Sequence, residues 1–113
     1  MTEITPDTQK KIAEYQSLQT QLQFVVYQRQ QYSLQLQDAD MALSELEKAD
    51  GDVYKNAGLI MIKSSKDDAR KGLVEKKELI SVRITSLAKQ EESIRQRAED
   101  VKGELETELK MKI

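Results

Sequence analysis

Two runs of seven-residue apolar repeat, divided by residues 50–65, set the limits on what this chain can become. In the first run Tyr15, Leu22, Arg29, Leu36 and Leu43 occupy the a positions, and Leu18, Val25, Tyr32, Ala39 and Leu46 the d positions. Every seam position but Arg29 is apolar or aromatic, the pattern of a helix that buries one narrow stripe against a partner helix. In the second run Leu73, Ile80, Leu87, Ile94 and Val101 fall at d, with Lys77, Ile84, Glu91, Ala98 and Leu105 at a. A chain of 113 residues that is 34% charged, 38% hydrophobic and 4% aromatic has little else to bury. The expected fold is mainly α: a long antiparallel two-helix coiled coil whose connection is short enough to fold one helix back on the other.

Local signals bound the elements. Thr5 can cap the free amides of a helix beginning at Pro6, with Asp7 complementing its dipole, and Asp50-Gly51 breaks the pattern, so the first helix is expected over 6–49. Ser65 with Asp68 resembles a capping box, and a second helix is expected over 66–112. Gly72 and Gly103 lie inside it at about 1 kcal/mol each relative to Ala. Two registers satisfy both repeats. The preferred one sets Leu43 opposite Leu73, Leu36 opposite Ile80, Tyr32 opposite Ile84 and Leu22 opposite Ile94; the other shifts one helix by a heptad. In either, Arg29 and Glu91 fall within about one turn of each other, as a pair that specifies register or as two side chains that snorkel to solvent.

Residues 50–65 carry the most specific information. Val53-Tyr54-Lys55, a turn near Asn56-Ala57-Gly58, and Leu59-Ile60-Met61-Ile62-Lys63 read as a β-hairpin over 53–63. Its second strand is apolar at consecutive positions, so both faces call for cover. Two strands alone leave open edges and are marginal in water. The hairpin is therefore expected to join strands of other chains in a sheet or β-barrel; the alternative is a hairpin folded down on its own helices.

Helix, VYKNAGLIMIK hairpin and helix at this length resemble the β-type subunit of prefoldin over the whole chain, 1–113, as a single domain. The resemblance is carried by Val53-Tyr54-Lys55, then Gly58, then an aliphatic run closed by Lys63. The α type has two hairpins, and residues 50–65 are too few for four strands. The resemblance implies a hetero-oligomer, a hexamer of two α-type with four β-type subunits, built on a β-barrel hub. It implies an ATP-independent holdase of the cytoplasm that binds unfolded or nascent polypeptides at the coiled-coil tips and passes them to a group II chaperonin.

The tip is the expected working surface. In the preferred register its last layers are Lys11 with Leu105, Thr8 with Glu108 and Ile4 with Lys112, so the coil should loosen there. Ile4, Ile12, Leu105, Leu109, Met111 and Ile113 are the candidate client contacts, Met111 being the most adaptable; ordinary end fraying is the plainer reading. The Gln-rich stretch from Gln16 to Gln37 reads as solvated helix face, and Tyr15, Tyr27 and Tyr32 as packing residues.

Other function classes find little in the sequence. There is no His and no Cys, hence no imidazole base, thiol nucleophile or common zinc ligand, and the four glycines are scattered rather than forming a phosphate loop. No enzyme, cofactor or metal is expected. Net charge is −2 with both signs interspersed, which argues against nucleic acid. Absence of Cys fits a reducing cytosol, and no apolar run approaches the roughly 20 residues that span a bilayer. The rival to a chaperone is a structural or tethering coiled coil without client binding.

Overall fold

The computed structural model describes residues 4–111. Four elements follow in order: α1 (Pro6–Lys48), β1 (Val53–Ala57), β2 (Ile60–Ser64) and α2 (Lys66–Met111). Thr5 caps α1 through its Oγ1, which accepts from the Thr8 amide at 3.1 Å, and Pro6 supplies the first helical residue without leaving a donor unpaired. At the other end Ala49 leaves the helix, one residue earlier than expected: its amide bonds Leu46, three residues back, and Gly51 turns the chain at φ 93°. Ser65 caps α2 by accepting from the Asp68 amide at 3.0 Å. Only this half of the reciprocal cap forms, because Asp is a methylene shorter than the Glu or Gln that reaches back best.

The two strands pair antiparallel, Val53 with Ser64, Lys55 with Ile62 and Ala57 with Ile60, around a two-residue turn of Gly58 and Leu59. Asn56 and Ala57 therefore belong to the strand and Leu59 to the turn, a correction to the sequence expectation. Gly58 carries φ 69° while no non-glycine residue among those described has positive φ, so the positive angle is confined to the first turn position, as a type II′ turn requires. Glycine at that place decides where the strands end.

The chain divides into two compact units. One joins the start of α1, to Arg29, with α2 from Ser86. Its core is Leu18, Ala98 and fully buried Val101, with Tyr15, Ile94 and Leu105 packed against them. The other comprises residues 30–85, with Ala39, Leu46, Ala69 and Ile80 buried among them. Both units have the preferred register. In the first, Thr8 meets Glu108; in the second, Lys77 reaches Asp40 at 2.7 Å and Arg70 reaches Glu47 at 2.6 Å, contacts that a heptad shift would separate. Lys77 tolerates its seam position because its long stem lies along the apolar stripe while the ammonium finds a carboxylate outside it.

Candidate functional site

The hairpin leaves its apolar side chains in solvent. Alternation along the ladder places Val53, Ala57, Ile60 and Ile62 on one face and Tyr54 and Met61 on the other. Ile60 is 62% exposed and Met61 67%, while Leu59 at the turn is fully exposed. Neither face is covered by the chain's own helices, and Lys63 with Asp52, 3.4 Å apart, is an exposed pair of little energetic weight. An open recess of about 620 Å³ lies between β1 and the helix ends, walled by Ala42, Leu46, Ala49, Tyr54, Ala69 and Leu73.

The other unit differs where the start of α1 meets the end of α2. Thr8, though polar, is 1% exposed. Its hydroxyl donates to Glu108 Oε2 at 3.1 Å and lies 2.9 Å from that of Thr5, while the Lys11 ammonium bonds Glu108 Oε1 and stands 3.7 Å from Glu104. The loosened end expected from the sequence is instead a hydrogen-bonded polar layer. Its members satisfy one another, and no buried side-chain polar atom among the described residues lacks a partner. The bond to Glu108 holds the Lys11 ammonium above its ordinary pKa against an opposing cost of burial. Of the candidate client contacts, Ile4 and Leu109 are exposed, Ile12 is partly buried, and Leu105 is packed against the Leu18, Ala98 and Val101 core. The side chain of Met111, and all of Ile113 and Lys112, lie outside what is described.

In the same unit Arg29 Nε donates to Glu91 Oε2 at 2.8 Å, and Arg95, one turn along α2, donates to the other oxygen at 2.9 Å. Glu91 is the better shielded partner, with 14% of its side chain exposed against 33% for Arg29. The Arg29 hydrogen bond, helped by Arg95 and opposed by desolvation, holds the Glu91 carboxyl below the ordinary carboxylate value. Sequence reasoning missed Arg95 and, though it set Thr8 opposite Glu108, missed that this layer closes by hydrogen bonds. Spacing of four residues from Arg95 to Glu91, and of three from Thr5 to Thr8, were the available signals. It also missed that Arg83 donates to the Tyr32 hydroxyl at 3.0 Å and lies 5.7 Å from that ring's centre, where its charge favours the π face.

Among the described residues no cluster of His, Cys, Asp and Glu is arranged to hold a metal, and no helix is long and apolar enough to cross a membrane. Helices paired along a narrow seam and joined by a solvent-facing apolar hairpin define a class of β-tipped helical hairpins. Residues 9–112 match the prefoldin subunit family. The prefoldin beta subunit of Archaeoglobus fulgidus is 43% identical over 108 residues, covering 94% of this chain and 93% of that protein. That of Pyrobaculum calidifontis is 37% identical over 111 residues, covering 96% and 89%. The crystal structure of the prefoldin beta subunit from Thermococcus strain KS-1 matches with a TM-score of 0.88 at 35% identity, covering 96% of this chain and 97% of that one. The chain belongs to the prefoldin subunit family, of the β type. These are non-enzymatic chaperone subunits that belong to hetero-oligomers with α-type subunits.

Proposed function

We propose that residues 1–113 act as one domain in an ATP-independent holdase of the cytoplasm, four such chains with two α-type subunits closing a β-barrel hub from their hairpins. The free end of each coil binds unfolded or nascent polypeptide, and the complex passes it to a group II chaperonin. One observation carries this reading: Ile60, Met61 and Ile62 leave both faces of the hairpin open to water. Such a two-stranded ribbon has unpaired edges and uncovered apolar faces, so strands from neighbouring subunits complete it at a large gain in burial. The recess beside β1 gives a neighbouring element room to seat.

Ile4, Ile12, Leu105, Leu109, Met111 and Ile113 remain the client contacts of this reading, with exposed Ile4 and Leu109 the most available and Leu105 the least. Arg29 and Glu91 act as the register pair. The polar layer at Thr8 favours the rival reading, a tethering coil, because a closed end offers less apolar surface than a loose one. Dilution refolding of an aggregation-prone protein separates them. The assembled complex should suppress aggregation at near-stoichiometric amounts without ATP; no suppression by an intact complex points to a scaffold. Native mass measurement with and without the α-type subunit tests the stoichiometry.

A further inference from the structure

In the unit that holds the start of α1, the two helices present opposite kinds of surface. From Tyr15 to Gln28, α1 contains no Asp, Glu, Lys or Arg, whereas α2 carries Lys89, Glu91, Glu92, Arg95, Arg97 and Glu99 over a comparable length. Leu18 and Val25 turn into the seam, but Phe24 and Tyr27, three residues apart and so neighbours on the helix surface, are 61% and 59% exposed. The expectation that Tyr27 packs is overturned: it stands two positions beyond Val25, on the side of the helix away from the seam. Phe24 is the only phenylalanine in the protein. Around this pair Gln16 and Gln23 are exposed, and their side-chain amides make no hydrogen bond to any described residue.

We infer that the charge-free outer face of α1 centred on Phe24 and Tyr27 is a second client-binding surface, for extended polypeptide segments that are themselves poor in charge. The inference rests on the holdase reading and adds to it where clients bind and which segments are preferred. Charge matching selects the occupant. A charged partner seated here would lose hydration with no counter-charge to replace it, and a nucleic acid would find no cation for its phosphates. An uncharged extended chain loses nothing of that kind. Two aromatic rings supply contact area at small conformational cost, and the free glutamine amides can donate to and accept from its exposed backbone. A second copy of this chain would match only through its own α1, since its α2 brings charge to a face that has none, and crosslinks from position 24 to another subunit would report that occupant.

The test uses the full complex with its α-type subunit and two fluorescent extended peptides of equal length. One is rich in Leu, Val and Gln; the other has every third residue replaced alternately by Asp and Lys. The double variant Phe24→Gln and Tyr27→Gln keeps strong helix formers in place, which circular dichroism verifies. It should bind the neutral peptide roughly tenfold more weakly and the charged peptide as the unaltered complex does. A photo-crosslinking residue at position 24 should label the neutral peptide. Unchanged binding of the neutral peptide by the double variant, or crosslinks from position 24 only to another subunit, overturns this inference and leaves the holdase reading standing. An unaltered complex that binds neither peptide nor a denatured protein overturns both.

Discussion

The hairpin and the Thr8 layer meet the same shortage of apolar burial in opposite ways. At the hairpin, apolar side chains are plentiful and uncovered: Leu59, Ile60, Met61 and Ile62 all face solvent. At the Thr8 layer apolar groups are scarce, yet the helices are held together, because Thr5, Thr8, Lys11 and Glu108 hydrogen-bond one another. Satisfied polar groups need no further partner, whereas exposed aliphatic groups gain from any surface that excludes water. The first region is thus incomplete within one chain and the second is not, which is the physical ground for proposing the hairpin as the place of assembly.

The largest effect is expected where the structure is incomplete. Replacing Ile60 and Ile62 together by Asp places charges on one hairpin face, where closure of a shared sheet would cost several kcal/mol per subunit. Sedimentation should register loss of the complex while helical ellipticity is retained; an intact complex would place the subunit contacts elsewhere. Deleting residues 106–113 removes Glu108 and Leu109 from the closed end. Client protection should fall several-fold with assembly size unchanged, and a complex that dissociates on this deletion would erase the distinction between the two regions.

Smaller effects concern the polar contacts. Glu91→Gln weakens the Arg29 and Arg95 bonds and should lower coil stability by roughly 2 kcal/mol, read by urea denaturation. Because the folded Glu91 carboxyl is held below its ordinary value of 4.5, its contribution is complete above that pH and disappears as pH falls through the lower folded value. The wild-type protein should accordingly lose stability on acidification more steeply than the Gln variant. If the two acid profiles coincide, the pair does not stabilise the fold. Lys11 has the reverse sign: its pKa is raised above 10.5, so its contribution is complete below that pH and is lost as pH rises through the folded value. Lys11→Met should flatten the alkaline limb slightly, and salt should mask the difference. A large effect in high salt would mean that the ammonium acts through something other than its ion pairs with Glu104 and Glu108.

Much of the fold was legible because heptad spacing is a one-dimensional signal. Every position assigned to the seam, from Tyr15 to Leu46 and from Leu73 to Leu105, is buried or partly buried. The hairpin was equally readable, since turn residues between apolar runs have few other uses. Its turn was misplaced because Asn56, Ala57 and Gly58 are all acceptable turn residues by type, and only the backbone angle singles out Gly58 and Leu59. The coil end was misread for a related reason. Thr8 and Glu108 are a hundred residues apart, and the benefit of burying them exists only once their side chains meet.

The amino-acid order alone determined which stripe of each helix is apolar, where the helices begin, and that a two-stranded apolar element joins them, because those properties depend on spacing within a few residues. Choice between two registers a heptad apart, closure of the Thr8 layer, recruitment of Arg95 to Glu91 and the outward placement of Phe24 and Tyr27 were decided in three dimensions. A heptad repeat is unchanged by a shift of seven, so apolar pattern cannot tell one register from the other. Hydrogen bonds and ion pairs tolerate no such shift, since they act over about 3 Å between particular atoms.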